Sequence, residues 1–186
     1  MAKLERPREQ TTSTKADWHI QLREMLRACS STAKIALVGV GHPLRGDDYV
    51  GSHTVKIIIE TTEGTLPEGA YIFDAEDNVE ALITRLAGLG LKHVIFIDAC
   101  EMRERPGETN LLSVNETSYP FFTTHGIPLK VLAERLLSKS EVWVLAIQPK
   151  QAEFGDTLSP ELRSAANSIS EFTTTNLTEG GQGTAD

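Results

Sequence analysis

An α/β fold built on a mostly parallel sheet, with helices covering both faces, is the fold class that this sequence predicts. Short runs of aliphatic residues alternate with segments whose apolar residues recur at intervals of three and four. The aliphatic runs are apolar at nearly every position, which is typical of strands buried on both faces. Alternation of such strands with helices favours a parallel sheet with right-handed crossovers. Because ligands bind outside the carboxyl ends of such strands, the loops there are expected to carry the functional site.

The composition fits one soluble domain. The chain has 186 residues, of which 40% are hydrophobic and 24% charged, so it can bury a sizeable core without a disulfide or a structural metal. Its net charge of −8, with no basic stripe, argues against a nucleic-acid partner. No apolar run reaches the ~18 residues of a membrane span, and the N-terminus lacks the apolar core of a signal peptide. With only Cys29 and Cys100 present, we expect a cytoplasmic protein, and a monomer.

The first elements are a tail, a helix and a strand. Residues 1–33 are predicted as a loose tail followed by an amphipathic helix, which Asp17 or Thr14 caps. The apolar face of this helix consists of Trp18, Leu22, Met25, Leu26 and Cys29. The stretch 34–40 is predicted as the first strand and 50–60, from its placement, as a helix.

The middle of the chain repeats this pattern. A second strand is predicted over 70–74, a helix over 78–89 and a third strand over 93–98, and 110–114 is predicted as an additional edge strand. Both the second and the third strand end in an aspartate, Asp74 and Asp98.

The C-terminal part predicts two more helices and another strand. A helix is expected over 127–137, a strand over 141–147 and a final helix with Pro160 at its first position. Residues 173–186, rich in Thr and Gly, are predicted to be a disordered tail. The main domain therefore spans 34–172.

The loop after the first strand combines glycines with two adjacent carboxylates, Asp47 and Asp48. Its glycine spacing, beginning at Gly39 and Gly41, differs from the dinucleotide-binding pattern, and the carboxylates would repel a pyrophosphate. The loop also lacks the Lys-Ser/Thr pair of a phosphate-binding loop. No nucleotide cofactor is expected. The residues alone leave two interpretations open, in which the acids either cap the following helix or line a site.

Asp98 and His125 are the other candidate site residues. Asp98 leaves a buried strand at its carboxyl end, although such residues also cap turns. His125 precedes the helix predicted to begin at 127, which directs it toward the crevice that holds Asp48 and Asp98. Two carboxylates and an imidazole from separate loops suit a divalent ion such as nickel or zinc, with coordination positions left open.

Other candidates have weaker contexts. Asp74 ends a strand and is a candidate ribose contact, but it lies too far beyond the glycines. Cys100 has no base near it in the sequence, so it is a poor candidate for a nucleophile. His42 lies in the glycine-rich loop and is kept as a minor candidate.

The ordered set of motifs resembles the [NiFe]-hydrogenase maturation endopeptidases, most closely the branch that serves hydrogenase 3-type enzymes. The resemblance covers about residues 34–169. It depends on the segments Val38–Gly41, Gly46–Asp48, Ile97–Ala99, Thr124–Leu129, Ala146–Pro149 and Leu158–Pro160. His42 stands where the family often has Asn and Tyr49 where it often has Gly, and the N-terminal helix is an extension.

The resemblance implies a three-layer α/β/α sandwich with a mostly parallel, five-stranded sheet. It also implies an endopeptidase, classed as aspartic-type, that removes the C-terminal extension of a [NiFe]-hydrogenase large-subunit precursor after nickel insertion. Nickel would be presented by the precursor and recognised by Asp48, Asp98 and His125, which also serve catalysis. The family lacks the paired motifs of pepsin-like enzymes, and either the metal or a carboxylate could activate water.

Two alternative functions remain from the sequence. The same three ligands would suit a nickel-binding maturation scaffold without catalytic activity, which would transfer metal but cut no peptide. A Rossmann-type nucleotide-binding protein is disfavoured by the glycine spacing.

Overall fold

The computed structural model describes residues 17–63, 65–114, 123–124, 127–128, 139–150 and 157–180. Their centre is a five-stranded sheet made of β1 (Ile35–Val40), β2 (Ala70–Glu76), β3 (His93–Ala99), β4 (Thr109–Ser113) and β7 (Glu141–Ile147). The order of the strands across the sheet is β2-β1-β3-β7-β4. Pairings among β2, β1, β3 and β7 are parallel, and the edge strand β4 is antiparallel to β7. The mostly parallel sheet predicted from the sequence is confirmed.

Helices cover both faces of the sheet. The described helices are α1 (Trp18–Arg27), α2 (Val50–Thr61), α3 (Val79–Gly88) and α4 (Pro160–Gly180). Helix α3 packs on one face, where Val38 and Phe96 belong to its buried cluster. Helices α1, α2 and α4 cover the other face, with Leu37 and Ile97. Neighbouring residues of a strand point to opposite faces, so an all-aliphatic strand supplies both clusters. The result is the three-layer sandwich.

The caps predicted from the sequence occur where expected. Asp17 caps α1, because its side chain accepts a hydrogen bond from the backbone N–H of His19 at 3.0 Å. Pro160 is the first residue of α4, a position where proline loses no helical hydrogen bond. None of the helices within the described residues is long and apolar enough to cross a membrane.

Helix α4 corrects the predicted disorder of residues 173–186. It continues to Gly180, and Leu177 is 1% exposed within the same buried cluster as Leu22 of α1. Arg27 donates to the side chain of Asn176 at 3.0 Å and pairs with Glu179. The threonine-rich segment is helical because α1 supplies a surface for it to pack on; residues 181–186 lie outside the described part.

A second correction concerns the helix predicted over 127–137. Residues Ile127–Pro128 form a short strand, β6, which pairs antiparallel with β5 (Thr123–Thr124). Three of these four residues are β-branched and favour extended backbone, and proline is tolerated in a short edge pairing. Residues 129–138 lie outside the described part, so the remainder of that prediction is untested.

Candidate active site

The glycines of the loop after β1 bring its acidic turn against β3. A Cβ on Gly51, at the start of α2, would lie 1.8 Å from the backbone oxygen of Ile97, so only glycine allows this approach. Gly41 has φ 134°, and a Cβ there would lie 1.8 Å from the backbone oxygen of Asp48. The loop therefore folds back over the 3₁₀ turn Gly46–Tyr49, beside the end of the strand that carries Asp98.

Asp48 is held by its own loop. Its side chain is half-buried, and Oδ2 accepts the backbone N–H of His42 at 3.0 Å. Its backbone N–H donates to the carbonyl of Arg45 at 3.1 Å. One carboxylate oxygen is thus held by the backbone of the loop that follows β1.

Asp98 is buried, with 8% of its surface exposed. Burial disfavours its ionised form and, together with the negative charge of Asp48, raises the pKa of Asp98 to about 8, although the Ala99 N–H opposes this rise. A carboxyl group with a perturbed pKa beside a second carboxyl group, at the end of a parallel strand, is typical of a functional site. The charge of Asp48 therefore acts on the carboxyl group of Asp98.

The third predicted residue, His125, lies outside the described residues. Within those described, no group of three or more His, Cys, Asp or Glu side chains is arranged to hold a metal ion. The three-residue set therefore remains a prediction.

Asp47 has a different environment from its neighbour. It is fully buried, and its carboxylate accepts the backbone N–H of Lys150 at 2.8 Å and that of Ser159 at 2.7 Å. Neither the 3₁₀ turn nor α2 has a side-chain cap, so the capping interpretation of the acidic pair is wrong. No local pattern could have revealed this role, because both donors lie more than a hundred residues away in the sequence.

Gln148 is a second polar residue whose role sequence reasoning missed. It is 3% exposed, and its Oε1 accepts the backbone N–H of Met102 at 2.7 Å and of Glu104 at 3.2 Å. Its Nε2 donates to Oε1 of Glu101 at 3.1 Å and to the carbonyl of Pro149 at 3.0 Å. The one available signal was a polar residue directly after a buried strand.

Asp74 is engaged by the protein itself. Ser52 donates to its Oδ1 at 2.5 Å, and Nζ of Lys56 lies 3.1 Å from its Oδ2. Lys56 also lies 3.6 Å from Oε1 of Glu76 and donates to the hydroxyl of Tyr49 at 3.3 Å. Burial opposes the charge of Lys56, but its hydrogen bonds and charge interactions with Asp74 and Tyr49 together raise the pKa of Lys56.

The minor candidates have structural contacts. Nδ1 of His42 accepts the backbone N–H of Leu44 at 3.1 Å, and its Nε2 lies 3.9 Å from Oδ2 of Asp77. Cys100 is 3% exposed with its thiol directed at the carbonyl of Asp98, 3.7 Å away. Burial and the charge of Asp98 raise the pKa of the Cys100 thiol, which disfavours the nucleophilic thiolate.

Comparison with known proteins connects this geometry to one family. A family model described as hydrogenase maturation protease matches residues 55–175. A Methanocaldococcus jannaschii protein, named as a candidate hydrogenase maturation protease, is 28% identical over 139 residues, covering 72% of this chain and 80% of the relative.

Solved structures share the fold. The crystal structure of the [NiFe] hydrogenase maturation protease HycI from Thermococcus kodakarensis has a TM-score of 0.73 at 20% identity, covering 85% of this chain and 99% of that one. The solution structure of the endopeptidase HycI from Escherichia coli has a TM-score of 0.65 at 24% identity, covering 82% and 96%.

Proposed function

Because this chain belongs to the hydrogenase maturation protease family, we propose that it removes the C-terminal extension of a [NiFe]-hydrogenase large-subunit precursor. Cleavage follows nickel insertion, and the nickel carried by the precursor is the feature that is recognised. The residues proposed to contact nickel and to serve catalysis are Asp48, Asp98 and His125. The hydrogenase served is proposed to be of the hydrogenase 3 type.

The observation that supports this proposal is the pairing of two carboxyl groups at the end of the sheet. The burial of Asp98 and, after it, the charge of Asp48 raise the pKa of Asp98 to about 8. A divalent cation between two such groups would relieve their repulsion and displace the proton, so the pair fits a cation better than an anion.

Nickel enters this reaction as cargo of the substrate. Carboxylate and imidazole ligands suit a borderline divalent ion, and a set of only three leaves positions for ligands from the precursor. Coordination shared between protease and precursor would make cleavage conditional on nickel loading and would align the scissile peptide bond.

Hydrolysis adds water to the scissile carbonyl carbon, breaks the C–N bond and transfers a proton to the leaving amine. A carboxylate of the pair acting as general base is one route, and polarisation of the carbonyl by the precursor's nickel is the other. A cleavage rate that follows the ionisation of an acid residue would favour the first route. A rate that changes with the Lewis acidity of a divalent ion substituted for nickel in the precursor would favour the second.

The test mixes the whole chain with nickel-loaded and nickel-free large-subunit precursors and follows precursor mass by mass spectrometry. We expect loss of a C-terminal peptide from the loaded precursor alone. Asp48→Asn, Asp98→Asn and His125→Ala should each reduce cleavage at least about a hundredfold. Glu60→Gln, which removes an exposed carboxylate on α2, is the matched control and should cleave like wild type.

Three outcomes would count against the proposal. Equal cleavage of the nickel-loaded and nickel-free precursors would show that nickel is not what the protein recognises. Wild-type cleavage by all three site variants would refute the site. Nickel capture from the precursor without peptide release would favour the scaffold alternative.

The proposal also includes the location and the assembly state of the protein. We propose a cytoplasmic monomer that works with the precursor alone and without a nucleotide. Light scattering coupled to size-exclusion chromatography should give the mass of one chain, 20.4 kDa, and twice that mass would contradict the proposed monomer.

A further inference from the structure

Two buried polar side chains, Asp47 and Gln148, join three loops at the carboxyl end of the sheet. Asp47 belongs to the turn that carries Asp48, and Gln148 follows β7. Neither is among the residues proposed to touch nickel or substrate. Their hydrogen bonds cross between elements that are distant in the sequence, so they can position groups that local structure cannot.

The first link runs from the acidic turn to the segment after β7. The buried carboxylate of Asp47 accepts the N–H groups of Lys150 and Ser159 at 2.8 and 2.7 Å. Hydrogen bonds from backbone amides to a carboxylate are among the stronger ones in proteins. The link also fixes the start of α4, because Ser159 directly precedes Pro160.

The second link runs from the segment after β7 to the loop after β3. The side-chain amide of Gln148 accepts from Met102 and Glu104 and donates to Glu101. The backbone of Gln148 accepts the N–H of Gly107 and donates to the carbonyl of Glu108, both at 2.9 Å. The chain that leaves Asp98 is therefore fastened to the end of β7.

Together these links close a path from one carboxyl group of the site to the other. Asp48 adjoins Asp47, which binds Lys150; Lys150 lies two residues from Gln148, and Gln148 holds the loop that follows Asp98. A buried carboxylate is costly unless it is fully hydrogen-bonded, so the turn cannot shift without breaking these bonds.

We infer that Asp47 is a positioning residue that, with Gln148, holds Asp48 at a fixed place relative to the end of β3. This inference rests on the proposed function only in assigning a purpose to Asp48 and Asp98. The two adjacent acids then have separate roles: Asp47 positions the turn, and Asp48 takes part in the proposed reaction.

The position of Asp48 can be followed without any substrate. The N–H of His42 donates to Oδ2 of Asp48 at 3.0 Å, so hydrogen exchange of this amide reports where the carboxylate lies. We compare the whole metal-free chain, wild type and Asp47→Asn, by NMR. In Asp47→Asn the His42 amide should exchange about tenfold faster. The NH₂ group of the asparagine cannot accept a hydrogen bond, so the N–H of Lys150 or of Ser159 loses its acceptor and the turn is held less firmly.

Thr54→Val is the matched control. It removes a fully buried hydroxyl that donates to the carbonyl of Val50 at 2.7 Å, on α2 but outside the two links. It should destabilise the fold while changing His42 exchange less than about twofold. An unchanged exchange rate of the His42 amide in Asp47→Asn would overturn the inference, and so would an equal increase of that rate in Thr54→Val.

Gln148→Met tests the second link and serves if Asp47→Asn fails to fold. It keeps side-chain length while removing the hydrogen bonds to Met102 and Glu104. The amides of Met102 and Glu104 should exchange faster, and the exchange rate of the His42 amide should rise about threefold. Faster exchange at Met102 and Glu104 with no change at His42 would show that the loops are independent, which contradicts the inference.

Kinetics separate positioning from the proposed function itself. With nickel-loaded precursor, Asp47→Asn should lower kcat about tenfold and change KM less than about twofold. A wild-type chain that cleaves no precursor would refute the proposed function, while the His42 amide would still decide the role of Asp47.

Discussion

Asp98→Asn should make the metal-free protein more stable, and increasingly so as the pH rises. The carboxyl group is 8% exposed, and its pKa rises from 3.8 to about 8 on folding because of burial and the charge of Asp48. The folded state therefore holds a proton that the unfolded state has already lost. Stability falls as pH rises from about 4 to about 8, where deprotonation of the folded state is half complete.

The size of the effect follows from the two pKa values. One pKa unit corresponds to about 1.4 kcal/mol, and the difference between 3.8 and about 8 is roughly four units. Linkage then gives a penalty of about 2 kcal/mol at pH 5 and about 6 kcal/mol at pH 9. An asparagine carries no such penalty, so its advantage should grow by as much as about 4 kcal/mol across this range.

Urea unfolding in the presence of a chelator measures this change. Wild type and Asp98→Asn are compared at pH 5, 7 and 9, and the difference between them cancels groups that titrate alike in both. Glu80→Gln, which changes an exposed carboxylate on α3, is the control and should show little pH dependence. A difference that stays constant within about 0.5 kcal/mol between pH 5 and 9 would refute the reasoning.

Three further predictions test the packing and the chemistry. Gly51→Ala should lower the free energy of unfolding, measured in urea, by about 1–3 kcal/mol, because its Cβ would meet the backbone of β3. Its control is Gly88→Ala, whose Cβ would meet open space and which should be neutral or stabilising by up to about 1 kcal/mol in the same assay. Leu177→Ala should cost about 2–4 kcal/mol, as expected of a buried helix residue, whereas unchanged urea stability would support a disordered tail. Cys100→Ala should retain precursor cleavage within about twofold, since its thiol is buried and its pKa is raised; a hundredfold loss in the mass-spectrometric assay would give the thiol a chemical role.

The division of roles between Asp47 and Asp48 shows how environment separates identical residues. One carboxyl group is fully buried and satisfied by two distant amides, and the other is half-buried with one oxygen held by its loop. Their sequence neighbours are nearly the same, so composition and spacing could not distinguish them. Only the folded structure distinguishes them, because it places the backbone amides of Lys150 and Ser159 against Asp47.

The sequence by itself determined the sheet and most of the helices. The aliphatic runs that became β1, β3 and β7 have no polar face, so they could be stable only inside a covered parallel sheet. The spacing of Leu22 and Leu26 likewise defined α1, and an aspartate at the end of β3 could only emerge at the crevice. These features depend on local patterns of burial, which the sequence carries directly.

Tertiary structure decided what depends on distant partners. Residues 173–180 have weak helical preference and became helix because α1 offers Leu177 a surface to pack on. The extended pairing of Ile127–Pro128 depends on Thr123–Thr124. The raised pKa of Asp98 depends first on its burial in the folded chain and then on the charge of Asp48, fifty residues away in the sequence. Contact free energies of this kind arise only once the chain has folded, so no window of neighbouring residues contains them.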